Sequence, residues 1–329
     1  MKSALRLSLA VLVIPLLFIA KPAKALTIVP PSLEYSVNPG DVIPATIKLF
    51  NGSQNTETVY ASTSNFTAKG EAGEPDFDLN ATPTDIATWI DYPQGPLTIA
   101  PNDNLRIPVT IRVPKNAEPG GHYAAVFFGN DPSKSDKDGG QVAIRSLLGS
   151  LVIVRVAGDV REAASVASFA TENGKTTVDT LPATFALRIK NTGNVHIRPQ
   201  GTLVIKNMFG GETAKLAINE VNGAVLPNSI RDFSTTWSKT NKAGKGFFGK
   251  VGQQWSNFAL GSYTATATVT YGENKQSLVS TAKLTVFPWQ LLLVIFVIIA
   301  IVLFMFFFGV RRYNAAIIRN ANKSPVNRK

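Results

Sequence analysis

The stretch VPKNAEPGGHYAAVFFGN, residues 113–130, begins as a turn and ends as a strand. Pro114, Pro119, Gly120 and Gly121 punctuate the chain, and Ala124–Phe128 follow as an apolar run too short for a helix. A parallel opening, GSYTATATVTYG at 261–272, precedes a run of β-branched alternation. A Gly-x-Tyr at the start of the penultimate strand of an antiparallel sandwich is the setting of a tyrosine corner, whose phenol bonds back across the loop while the ring packs inward. On this reading Tyr123 and Tyr263 are structural tyrosine corners. His122 then points to the outside of its sheet, because neighbours along a strand face opposite ways.

Working outward from the two openings, the same order of elements appears twice. Alternation of period two marks ATIKLFN (45–51), NLRIPVTIRV (104–113), ATFALRIKN (183–191) and GTLVIKN (201–207), with Gly, Pro, Asn and Asp between the runs. No segment between 26 and 287 shows sustained helical periodicity. The expected fold is all-β: two immunoglobulin-like β-sandwich domains in series, residues 26–158 and 159–287, followed by one transmembrane α-helix.

The two ends carry addresses. Residues 1–25 have the form of a signal peptide: Lys2 and Arg6, then an apolar Leu7–Ala20, then the small residues Ala23 and Ala25 around Lys24. Leu291–Val310 is uncharged over twenty residues, enough to cross a hydrocarbon core of ~30 Å. The transmembrane segment is set at 288–310, with Trp289 as its interface anchor, and the basic residues of 311–329 predict a cytoplasmic tail with residues 26–287 extracellular.

That topology accounts for the charge. The chain has a net charge of +11, of which ten units belong to Lys and Arg of the signal and tail. A nucleic-acid partner is therefore not expected. Zero cysteines exclude a disulfide framework, a thiolate metal site and a thiol nucleophile, and point to a bacterial cell surface.

Little in the extracellular region resembles catalytic machinery. His122 and His196 fall in different domains, no carboxylate lies near either at triad or metal spacing, and no G-x-S-x-G elbow occurs. No enzyme activity, cofactor or metal is expected. The acidic run KGEAGEPDFDLN (69–80) lacks the EF-hand spacing and reads as a solvated loop or an edge strand. NKAGKGFFGKVGQQW (241–255) reads as a loop without a core role; Lys242, Lys245, Phe247, Phe248, Lys250 and Trp255 make it a candidate membrane-touching loop.

LTIVPPSLEYSVNPGD after the signal, VPKNAEPGGHYAAVFF in the first domain, and IKNTGNVHIRPQGTLVIKN and VLPNSIRDFSTTW in the second carry a family resemblance. The chain resembles the WxL-interacting proteins of Gram-positive surfaces, which combine a peptidoglycan-binding sandwich, a second sandwich, one transmembrane anchor and a basic tail. The resemblance implies a non-enzymatic, single-pass membrane protein whose partners are cell-wall polymer (peptidoglycan), other surface proteins, or both, with membrane lipids around its anchor. The alternative is a structural or chaperone-like assembly factor for surface proteins that acts by β-strand addition.

Overall fold

In the computed structural model the described residues are 26–129, 147–240 and 242–321; the signal expected over 1–25, residues 130–146, residue 241 and the end of the tail lie outside them. The chain condenses into two units. The first comprises the residues up to Asn65, Asp78–Ala117 and His122–Val154, and the second comprises Phe66–Phe77, Glu118–Gly121 and the chain from Arg155 onward.

The fold is mostly β, two immunoglobulin-like sandwiches and one long C-terminal helix. One sheet of the first sandwich contains β1 (Leu26–Val29), β3 (Val42–Asn51), β8 (Asn104–Arg112) and β6 (Ile90–Asp91), in that order. The facing sheet runs β2 (Ser32–Val37), β10 (Leu147–Val156), β9 (Gly120–Gly129), β4 (Glu57–Lys69), β5 (Glu74–Phe77), with β7 (Pro96–Ile99) also paired to β4. Alternate residues point inward, so Ile47, Leu49, Ile107, Ile111, Phe128 and Val152 form a closed core. The acidic run does supply a short edge strand, β5, paired with β4 from Phe66↔Phe77 to Lys69↔Glu74.

The second sandwich sets a three-stranded sheet, β11 (Ala164–Thr171), β13 (Ala183–Asn191), β16 (Ile230–Trp237), on a five-stranded one. The latter runs β12 (Thr177–Val178), β18 (Gln276–Val286), β17 (Gly261–Tyr271), β14 (Gln200–Asn207), β15 (Glu212–Ile218). Phe185, Leu187, Ile189, Leu203, Trp237 and Val269 fill its core.

The duplication seen in sequence extends to buried polar devices. Asn51 and Asn191, both fully buried, end equivalent strands. Each accepts the N–H two residues on (Ser53, Gly193) and donates to the carbonyl four residues on (Asn55, Val195). Further donation to Ile99 and to Val225 ties each corner across its sandwich. A buried amide with all three bonds made locks the turn.

Two sequence expectations change. Residues 241–255 are not wholly loop: Gly246–Ser256 form a helix, α1, despite the internal Gly249 and Gly252. Its stability is tertiary, since it packs against α2 (Trp289–Ala321), the apolar spanning candidate. The second change concerns His122, which faces inward. Gly120 and Gly261 open β9 and β17 with φ of 131° and 98°, values that favour glycine, so the residue two further on is the inward one in each strand. In β17 that residue is Tyr263; in β9 it is His122, 8% exposed.

Candidate functional site

The inward position after each opening glycine carries a ring packed on a tryptophan. The Tyr263 ring centre lies 4.9 Å from that of Trp237, and the His122 ring centre lies 4.7 Å from that of Trp89. Tyr263 Oη accepts the N–H of Leu260 at 3.2 Å, a bond back across the strand opening. His122 Nδ1 lies 2.8 Å from both oxygens of Asp85, whose backbone has a φ of 44°. Tyr123 is half-buried on the opposite face of β9. The His–Asp pair allows an imidazole to occupy a core position. Among those residues no cluster of three His, Asp or Glu side chains is placed to hold a metal ion.

The feature with binding chemistry is the outer edge of β16. Phe233 and Trp237 point into the core, while Asp232, Ser234 and Thr236 share the other face. On one side β16 pairs with β13, from Ala183↔Trp237 to Lys190↔Ile230. The N–H of Asp232 points the other way, to the carbonyl of Glu71 at 2.9 Å. In an antiparallel pair such outward groups recur at every second residue, so the N–H and C=O groups of Ser234 and Thr236 also face the open edge. The close approach of Thr184 Oγ1 and Thr236 Oγ1, 3.0 Å, fits a non-hydrogen-bonded pair at that register.

Glu71 therefore makes one rung of an added strand. Its side chain anchors the tip between β4 and β5: Arg188 Nε donates to Oε2 at 2.7 Å and Arg188 Nη2 donates to Oε1. These bonds hold the Glu71 carboxyl below its usual range. Beyond that rung the edge opens on a groove of 460 Å³ between β15 and β16, with Leu216, Ala217 and Val221 on one wall and Phe233, Ser234 and Thr236 on the other. The Arg231 guanidinium closes one end. It donates to the Ala224 carbonyl at 2.8 Å, lies 5.6 Å from the Phe233 ring centre, and passes so close to Gly73 and Gly223 that a Cβ at either would collide with it. Burial and the charge of Arg198 push its pKa down.

Asp232 faces this groove in a strained electrostatic setting. Burial raises its carboxyl above the ordinary range, and Oδ1 has no hydrogen-bond partner among the described residues, while Oδ2 accepts the Ser234 hydroxyl at 3.3 Å. A donor on an incoming segment would satisfy that oxygen.

The residues of the candidate membrane-touching loop fall on and around α1. Lys242 and Lys245 are exposed ahead of it, Phe248 (81%) and Trp255 (69%) are its most exposed apolar side chains, and Lys250 Nζ lies 3.7 Å from Asp179. Phe247 packs its ring 6.3 Å from that of Trp289. Gln254, which carries no sequence signal of its own, makes the junction: buried at 1% exposure, it donates to Gln290 Oε1 and accepts the N–H of Leu291 at 2.8 Å.

No family matches the sequence, and no curated protein is significantly similar to it. Among solved structures the chain is similar to the class 5 fimbriae chaperone CfaA, with TM-score 0.39 and 11% identity over 78% of this chain and 99% of that one. It is also similar to the E. coli chaperone DraB, with TM-score 0.35 and 12% identity over 80% and 97%. The chaperone–tip adhesion subunit complex CsuC–CsuE of Acinetobacter baumannii gives TM-score 0.32 and 11% identity over 64% and 89%. Each is a likeness of fold.

Proposed function

We propose that this chain is a membrane-anchored, non-enzymatic binding protein that holds extended segments of other surface proteins by adding them as a strand to the free edge of β16. The observation that carries the reading is the Glu71 carbonyl on the Asp232 N–H, one rung of strand addition made within the chain and continued by the open groups of Ser234 and Thr236. An incoming strand gains main-chain hydrogen bonds at these positions, and its alternate side chains reach Leu216 and Phe233 in the groove. The long apolar stretch of α2 supplies the anchor, and the basic residues after it favour residues 26–287 on the outer side.

The test uses the full-length chain in its own cells with a photo-crosslinking side chain in place of Ser234. The expected product is a discrete protein adduct that disappears when Thr236→Pro is added, since proline there removes an outward N–H while leaving the pairing with β13 intact. Thr236→Ser should keep the adduct. An adduct indifferent to Thr236→Pro, or one that a wall hydrolase releases as polymer, would overturn strand addition; the second result would favour the wall-polymer binding that the family resemblance implies.

A further inference from the structure

One end of the second unit carries an apolar rim that its core does not use. Strand register defines that end: Asn207, closing β14, faces Tyr263, and Gly261, opening β17, faces Val286, closing β18. The β14–β15 turn, the α1 segment and the junction of β18 with α2 therefore meet there. All three expose large apolar side chains: Met208 (59%) and Phe209 (88%) in the turn, Phe248 and Trp255 on α1, and Phe287 (53%) and Trp289 (48%) at the junction. Tight turns favour small polar residues, so Met208–Phe209 has no local rationale, and exposed apolar groups gathered from three segments mark a contact surface.

We infer that this rim is a collar that seats the second unit in the headgroup layer of the membrane from which α2 emerges; the inference rests on the reading of α2 as the membrane anchor. Lipid is the occupant because the rim is continuous with the spanning helix. Only Phe287 and Pro288 separate β18 from α2, so the end cannot stand off from the bilayer on a tether. The Gln254 bond to Leu291 and the Phe247–Trp289 ring contact fix α1 against the first turn of α2. Aromatic side chains are the residues that rest at a membrane interface, and Lys242, Lys245 and Lys250 lie among them, suited to anionic headgroups. Two acids at this end face lysines of their own: Asp179 lies beside Lys250, and Glu212 stands opposite Lys206. Seated in this way, the second unit keeps a fixed orientation to the bilayer.

Because the chain has no cysteine, single thiols can be placed at will. Full-length protein carrying Phe209→Cys, Phe248→Cys, Asn274→Cys or Ile301→Cys, each labelled with an environment-sensitive fluorophore, is reconstituted into phosphatidylcholine vesicles containing phosphatidylglycerol. Asn274 lies in the β17–β18 turn at the opposite end of the sheet. The expected result is lipid-borne quenching and blue-shifted emission at 209, 248 and 301, with iodide quenching confined to 274. Iodide quenching at 209 and 248 equal to that at 274, while 301 stays in lipid, would overturn the collar and leave the anchor standing. An aqueous signal at 301 would overturn both.

Discussion

His122 and Asp85 form a two-point contact, with Nδ1 2.8 Å from each carboxylate oxygen, across 37 residues of sequence. The imidazole is almost wholly buried and packs at a tilt against Trp89, whereas the carboxylate remains partly in solvent. Removing either partner leaves the other incompletely satisfied. His122→Ala and Asp85→Ala should each destabilise the full-length protein in detergent by roughly 1–3 kcal/mol. The double variant should lose less than the sum of the two, with a coupling of about 0.5–3 kcal/mol in a double-mutant cycle. Additive losses would show that the contact contributes nothing to the fold.

The strands were legible because alternation of period two survives in nearly every one of them, and the repeat of turn residues reveals two sandwiches. The inward-facing role of His122 was not legible. Two adjacent glycines, Gly120 and Gly121, allow two alignments with Gly261, and only the backbone reveals that Gly120 is the left-handed one. Its partner Asp85 is also too distant in sequence to suggest a pair. Helix α1 leaves little trace in the sequence because Gly249 and Gly252 lower its intrinsic propensity and its partner surface is another helix. Which side of β16 is open follows from strand order, which periodicity does not encode.

Sidedness is tested by access. Protease added to intact cells should digest residues 26–287 and spare an epitope fused after Lys329, because basic residues flank the spanning segment on the tail side. Loss of the epitope signal from sealed cells would reverse the orientation.

Gln254 joins α1 to α2, and both of its side-chain polar atoms are engaged in a buried setting. Gln254→Leu leaves the Leu291 N–H and the Gln290 side chain without these bonds, at a cost of roughly 1–3 kcal/mol. The loss should be local: amide exchange of 246–256 should accelerate while that of β13 and β17 is unchanged. Uniform acceleration across the second sandwich would mean that the junction supports the whole unit rather than α1 alone.

Asp232 provides a pH-dependent prediction whose sign is fixed by its setting. Burial raises its carboxyl pKa in the folded protein, and the negative charges of Glu71 and Glu172 act in the same direction, against the opposing effects of the Ser234 hydroxyl and the Arg188 charge. A folded-state pKa above the unfolded one means that the native state prefers the protonated form. The preference stabilises the protein fully below the unfolded aspartate pKa and is lost as pH rises through the higher folded value. At neutral pH the wild-type protein therefore carries an ionised group that its fold disfavours. Asp232→Asn, a neutral side chain of the same shape, should raise the melting temperature at neutral pH, by an amount that solvent screening holds under about 1 kcal/mol. The advantage should shrink as pH falls and vanish below the ordinary aspartate range. The Glu71–Arg188 pair, whose contribution is present above the unfolded glutamate pKa and lost as pH falls through the lowered folded one, remains in both proteins, so its effect largely cancels in the comparison. Melting curves of wild type and Asp232→Asn from acid to neutral pH check the point. A variant less stable than wild type at neutral pH would show that the carboxylate is held by a favourable partner, and that Oδ1 is not the open acceptor the groove offers to an incoming strand.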